Sequence, residues 1–265
     1  MHFSDFHTHT CFSDGSDTPE QMVREAIARG MAQLGISDHS FTAFDTGYCL
    51  PPEKTQQYKA SLQALKESYT GQIELFCGME QDYYSAIPAT GYDYVLGSVH
   101  YVQCGAEYVP IDLSEEIFAS LIERHFGGDS YALCERYYEM VADVVAKTQC
   151  DVISHFDIIT RFNAGGRFFD ETHPRYVAAY RAAADALLAT GKPFEINTRL
   201  MARGMRDYPY PRAEICDYIA AGGGSFLLSS DSHRKQELMF GFDTVRALAA
   251  QRGWNILHSF KNVQN

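Results

Sequence analysis

The chain has 265 residues, 46% of them hydrophobic and 21% charged, which suits one large α/β domain or two small ones and is ample for a real core. No apolar run reaches the roughly 18 residues of a membrane span, and a net charge of −12 without a Lys/Arg cluster disfavours nucleic acid as a partner. The seven cysteines (Cys11, Cys49, Cys77, Cys104, Cys134, Cys150 and Cys216) are odd in number and widely spaced, which argues against a disulfide framework or thiolate zinc site and for a reducing cytoplasm.

The chain starts Met1-His2-Phe3-Ser4-Asp5, with no basic start and no apolar h-region, so a secretory signal is not expected. Residues 3–7 read as a first buried strand. Thr18-Pro19-Glu20-Gln21 then reads as an N-cap, a proline at the first helical position and a capping box. Met22, Val23, Ala26 and Ile27 form the apolar stripe of that helix, and Gly30 closes it. A strand is predicted at 33–37 and a helix on Tyr58, Leu62, Leu65 and Tyr69, followed by strands at 73–79 and 94–99. Residues 101–129 are too long for a simple connection and contain a helix near 114–125, so they read as an insertion over the mouth of the fold. Next come a helix on Leu133, Tyr137, Met140, Val141, Val144 and Val145, and a strand at 152–155. A helix on Val177, Tyr180, Ala184, Leu187 and Leu188 ends at Gly191, before a strand at 193–196. Ile215 and Ile219 mark a helix. Gly222-Gly223-Gly224 precedes the seventh strand, 225–229, and so reads as a turn and not a phosphate cradle. Val245 and Leu248 mark a last helix. Repeated strand–helix units mean parallel strands with right-handed crossovers, in a barrel or large open sheet. No linker interrupts the pattern, so one domain is expected over 1–265.

The ligand-type residues fall at strand ends. His7 and His9 end the first strand and His39 the second; Glu80 follows the third; His100 ends the fourth and His155 the fifth; Asp231 and His233 follow the seventh. Ligands bind at that edge of parallel sheets. Residues i and i+2 of a strand share a face, so His7 and His9 point the same way, as Asp231 and His233 do if the chain stays extended there. Imidazole and carboxylate without thiolate suit zinc, manganese, iron or cobalt, and so many ligands serve two or three ions sharing Glu80. His2, His125, His173 and His258 fit no such pattern and read as surface or core residues.

The motifs Phe6-His7-Thr8-His9-Thr10, Ser37-Asp38-His39, Gly78-Met79-Glu80, Gly97-Ser98-Val99-His100, Ile153-Ser154-His155 and Ser230-Asp231-Ser232-His233 resemble those of the polymerase and histidinol phosphatase (PHP) superfamily. They run in order from about residue 2 to 235. Pro110-Ile111-Asp112 and Phe194-Glu195-Ile196-Asn197-Thr198 resemble its stand-alone histidinol-phosphate phosphatases. The resemblance implies a distorted seven-stranded (β/α)7 TIM-like barrel. It also implies two or three divalent ions (Zn, Mn or Fe): His7, His9, Glu80 and Asp231 on the first; Glu80, His100 and His155 on the second; Asp14 (with Asp17 close by), His39 and His233 on the third. Asp5 reads either as fixing an imidazole or as pairing inside the barrel.

The activity implied is hydrolysis of a small-molecule phosphate monoester, L-histidinol phosphate, with Asp231 or His233 as the acid for the leaving group. Arg161 and Arg199 fall near the mouth and are the candidates for gripping phosphate; Arg167 and Arg203 are weaker ones. Phe12, Asp45, Tyr48, Asp82, Tyr83, Tyr101 and Asp112 are candidates for the substrate's ammonium and imidazole, with none singled out. The alternatives are a phosphodiesterase or exonuclease of the same superfamily acting on nucleotides, and a metal-binding module without turnover. Oligomeric state is not legible.

Overall fold

The computed structural model describes residues 3–259, so His2 lies outside the described residues. The elements run β1 (Phe3–Asp5), α1 (Pro19–Ala28), β2 (Met31–Ile36), α2 (Thr55–Ser68), β3 (Glu74–Asp82), β4 (Tyr94–Ser98), β5 (Tyr101–Cys104), β6 (Glu107–Pro110), α3 (Glu115–Phe126), α4 (Ser130–Thr148), β7 (Val152–Ile153), α5 (Pro174–Leu188), β8 (Phe194–Asn197), α6 (Arg199–Ala202), α7 (Ala213–Ala221), β9 (Ser225–Ser229), α8 (Phe242–Arg252) and β10 (Asn255–Leu257). Eight strands form one curled parallel sheet in the order β1-β2-β3-β4-β7-β8-β9-β10. Beyond the strand ends, a parallel bridge joins Thr8 to Ser232, and the His9 amide donates to the Ser232 carbonyl at 2.8 Å. The flanks of the sheet therefore meet at the edge that carries the ligand-type residues. Among the described residues no helix is long and apolar enough to cross a membrane.

A TIM-like barrel broadly describes this curled sheet, but the expected count of seven strands is corrected to eight. The eighth, β10, is only three residues long and pairs with the first part of β9. So short a run, Asn-Ile-Leu, gives no periodic signal.

Local chemistry accounts for the elements that carry the site. In α1 the Thr18 hydroxyl accepts from the Gln21 amide, and Gln21 Oε1 accepts from the Thr18 amide at 2.9 Å, so the predicted capping box is present. Met22, Val23 and Ala26 bury completely, and burying a side chain the size of Met or Val is worth about 1.5–3 kcal/mol. α3 begins at its Ser114 cap and ends at left-handed Gly127, so the helix predicted in the insertion is present. The antiparallel β5–β6 hairpin before it was not foreseen.

Helices α1 and α2 pack on β2 and β3 in one apolar cluster, and α3 to α5, α7 and α8 share a larger one. A third, small cluster joins Phe6, Tyr94, Leu96, Val152 and Leu227. By strand alternation Tyr94 and Leu96 share the face of Ser98, whose hydroxyl donates to Glu80 Oε1 at 2.6 Å. The Tyr94 side chain crosses Gly35 and Gly78 so closely that a Cβ would lie 2.2 Å from its hydroxyl oxygen at Gly35 and 2.2 Å from its Cζ at Gly78. Small apolar packing thus supports the strand that presents Glu80.

Candidate metal centre

Glu80, in the last part of β3, is the hub. Its Oε1 lies 2.9 Å from His155 Nε2 and 3.3 Å from His100 Nε2. Its Oε2 lies 2.8 Å from His39 Nδ1, 3.2 Å from His7 Nε2 and 3.4 Å from His9 Nε2. Asp231 Oδ1 faces His9 Nε2 at 3.2 Å and His7 Nε2 at 3.7 Å. Asp14 faces His233 Nε2 at 3.1 Å and His39 Nε2 at 3.6 Å. All nine predicted ligands therefore converge. They fall into four groups whose donor atoms lie within 4.8 Å of one another: His9, Asp14, His39 and His233; His7, Glu80 and His155; His7, His9 and Asp231; His39, Glu80 and His100.

These residues fit divalent ions. His7 Nε2, both ring nitrogens of His9, Glu80 Oε2 and His155 Nδ1 are buried without a hydrogen bond, an arrangement that costs free energy unless something else engages them. Only imidazole and carboxylate donors are present, the set that suits zinc, manganese or iron. Burial works against the charged form of His7 and His100, but carboxylates outweigh it (Glu195, Asp231 and Glu80 around His7; Glu80 and Asp82 around His100) and hold both well above the usual histidine range. Protons there stand where cations would stand. Burial, reinforced by Arg199, holds His233 below the usual range, and Arg199 and His7 hold Asp231 well below the carboxylate range against its burial. Both are thus in the forms that accept a cation.

Supporting side chains explain how the donors are aimed. Glu195 Oε1 lies 2.5 Å from His7 Nδ1, and Glu195 Oε2 accepts from the His155 amide at 2.6 Å and from Asn197 Nδ2 at 3.2 Å. Asp82 Oδ2 lies 3.1 Å from His100 Nδ1. Asp38 accepts from the Thr10 amide at 2.8 Å, the Thr10 hydroxyl at 2.6 Å and the Ser13 hydroxyl, and so fixes the loop that carries Asp14. Burial raises the Asp38 carboxyl to about 6 despite those bonds. Asp17 accepts from the Lys235 amide and pairs with its ammonium, away from the cluster, which leaves Asp14 as the ligand candidate.

Two readings are corrected or resolved. Asp5 touches no imidazole: it accepts from the amide and hydroxyl of Ser230 and from the His7 amide, so it pairs inside the barrel. Glu195, an acid inside an apolar strand, fixes His7 instead. Asp231 and His233 do not converge through an extended strand, because Asp231 has φ +50. Its strained backbone is held by Arg199, which donates to the Asp231 carbonyl, and its carboxylate accepts from Arg199 at Oδ1 and from Asn197 Nδ2 at Oδ2, the latter at 3.0 Å.

The cluster opens into a cavity of about 390 Å³ also lined by Arg161 and Arg199. Arg199 contacts Asp231 and both ring nitrogens of His233, with Nη1 2.7 Å from Nε2. The Arg161 side chain forms no hydrogen bond or ion pair among the described residues, and its Nε is buried without a partner. Arg167 and Arg203 are engaged elsewhere, with Glu115 and Glu237. Of the residues considered for the substrate's other end, Asp45, Tyr48, Tyr101 and Asp112 line the cavity. Asp82 is occupied by His100, Tyr83 donates to Asp143, and Phe12 packs edge-on to Tyr58. His125 faces Glu107, His173 caps α5, and the carbonyl of His258 accepts from Ser4, all outside the cluster.

Fold and donor set together define the class: a curled parallel α/β sheet with a candidate metal centre at its mouth. A model of the PHP domain matches residues 5–199, and the chain belongs to that family. It is 25% identical to a Deinococcus radiodurans protein named "Probable histidinol-phosphatase", with 98% of this chain and 97% of that one covered. It is 24% identical to the Lactococcus lactis histidinol-phosphatase, covering 98% and 95%. The crystal structure of the Lactococcus lactis histidinol phosphate phosphatase complexed with zinc, L-histidinol and phosphate has the same fold, with a TM-score of 0.72, 21% identity, and 96% and 95% of the two chains covered.

Proposed function

We propose that this chain is a metal-dependent phosphomonoesterase that hydrolyses L-histidinol phosphate to L-histidinol and phosphate, a step of histidine biosynthesis. The observation that carries the reading is the cavity in which seven of the nine converging donors (Asp14, His39, Glu80, His100, His155, Asp231 and His233) stand with Arg161 and Arg199. The relatives named histidinol-phosphatase along nearly their whole length support the substrate. His7, His9, Glu80 and Asp231 would hold a first divalent ion; Glu80, His100 and His155 a second; Asp14, His39 and His233 a third. Bound zinc, manganese or iron supplies charge neutralisation and lowers the pKa of water toward neutrality. Glu195 and Asp82 keep the His7 and His100 rings turned toward Glu80. Arg161 and Arg199 offer guanidinium N–H groups to phosphoryl oxygens and hold the ester in the mouth. Asp231, ionised beside Arg199, and His233, held below the usual histidine range by burial and Arg199, would both serve as ligands, so neither carries a spare proton for the leaving oxygen. The seven unpaired cysteines suit a cytoplasmic location, and the chain acts as one domain with residues 101–129 over the mouth.

The test is phosphate release by metal-reconstituted protein on L-histidinol phosphate, p-nitrophenyl phosphate, nucleoside monophosphates and a short oligonucleotide. The expected outcome is a kcat/KM for histidinol phosphate about a hundredfold above the others, equivalent to about 2.7 kcal/mol. Similar rates on all of them, or a preference for the nucleotides, would overturn the substrate assignment.

A further inference from the structure

One pair of opposite charges, Asp112 and Arg161, lines the cavity without an ion pair to any described residue. Asp14, Asp45, Glu80, Asp112 and Asp231 all reach it. Asp14 faces His233, Glu80 is the hub, Asp231 is bound by Arg199, and Asp45 Oδ2 accepts from the Tyr101 hydroxyl at 2.9 Å. Asp112 is the exception: among the described residues its carboxylate has no hydrogen bond and no ion pair, and the Arg161 guanidinium, in the same cavity, likewise has neither. A pocket shaped for a bare phosphate dianion is weakened by a free carboxylate. A pocket for a ligand carrying both signs needs one, kept apart from the guanidinium that takes the other end.

We infer that Asp112 receives a cationic group, an ammonium, on the phosphate ester, and so selects amino-bearing phosphomonoesters over neutral ones. The inference rests on the phosphomonoesterase reading above and adds the residue that reads the leaving group. Asp112 is held in place for this. Tyr101 pairs with Pro110 across the β5–β6 hairpin, Ile111 is fully buried, and its amide donates to the His100 carbonyl at 2.9 Å. The carboxylate is therefore fixed one residue beyond an anchor on the strand end that carries His100. Tyr48 and Tyr101 line the same cavity, and aromatic rings are surfaces that accept a cation or a flat ring. The cavity, about 390 Å³, falls within the roughly 300–1,000 Å³ range of small-molecule sites.

The experiment compares wild type with Asp112→Asn and Asp112→Ala on L-histidinol phosphate, its N-acetyl derivative and p-nitrophenyl phosphate, with calorimetric binding of L-histidinol alongside. Wild type should prefer the free amine to the N-acetyl ester by about thirtyfold or more in kcat/KM. In Asp112→Asn that ratio should collapse to within about threefold, chiefly through KM, and L-histidinol binding should weaken by about tenfold or more. A ratio that survives the substitution, or an equal fall on all three esters, overturns the assignment. Wild type that cleaves p-nitrophenyl phosphate without preferring the amine also overturns it, while leaving the phosphatase reading intact. Wild type that cleaves none of the esters removes the phosphatase reading itself, and L-histidinol binding that is the same in wild type and variant then removes the role of Asp112 as well.

Discussion

The floor of the cavity and its rim are built in opposite ways. Floor residues come from strand ends, are buried, and are tied to one another: Glu80 alone faces five imidazoles, and Glu195 links the His7 ring to the His155 amide. Rim residues come from the loop after β2 and from the insertion. Phe44 stacks on Tyr108 at 4.0 Å and meets Tyr101 edge-on at 4.9 Å, Tyr101 donates to Asp45, and Leu113 is 64% exposed. The floor is a connected polar network in which losing one member strands the others. The rim is a short chain of contacts whose members can be lost singly. The floor is thus suited to chemistry common to many esters, and the rim to the choice among them.

If that contrast holds, the largest effect belongs to the floor. Glu195→Gln keeps the shape but removes the charge that turns His7 Nε2 toward Glu80. It should weaken zinc binding by about 10–100-fold, measured by competition with a chromophoric chelator, and should lower kcat at fixed metal concentration. Zinc affinity within about twofold of wild type would show that the carboxylate does not position the ring.

The contrast in donors also explains what was legible. His7, His9, His39, Glu80, His100 and His155 lie at or beside strand ends, and strand ends can be read from apolar runs alone. Asp14 came from the family resemblance, and its alternative, Asp17, could be discarded only by seeing it tied to Lys235. Glu195 was visible as a residue of a motif but not as the partner of His7, because that pairing spans 188 positions in the chain. The extended geometry expected at Asp231 is replaced by a φ of +50, and the groups that hold this turn, Arg199 on the Asp231 carbonyl and Asp5 on Ser230, are far away in sequence. The β5–β6 hairpin and β10 are too short for periodicity to show. Which of the rim candidates would line the cavity depended on those unseen elements.

A medium effect tests the packing beneath the floor. Gly78 lies two residues before Glu80, and a Cβ there would lie 2.2 Å from Tyr94 Cζ, in a ring that is 1% exposed. Gly78→Ala should cost about 1–3 kcal/mol of stability through overpacking, read as a lower urea midpoint with unchanged slope. It should also reduce metal content, because β3 must shift. A loss under about 0.5 kcal/mol would mean that Tyr94 moves aside and that the floor is softer than its contacts suggest.

The smallest effect belongs to the rim and separates the two regions most directly. Phe44 is 38% exposed, and its ring stacks on Tyr108 with an 8° interplanar angle. Removing it takes away about 0.5–1.5 kcal/mol of aromatic contact and frees Tyr101, the donor to Asp45. Nothing in that chain reaches Glu80 through a bond. Phe44→Ala should therefore raise KM for L-histidinol phosphate by about three- to tenfold with kcat within about twofold, the pattern of lost uniform binding. It should leave zinc affinity as in wild type. A fall in kcat matching the fall in kcat/KM would place the aromatic chain in the transition state, and would dissolve the division between a floor that reacts and a rim that selects.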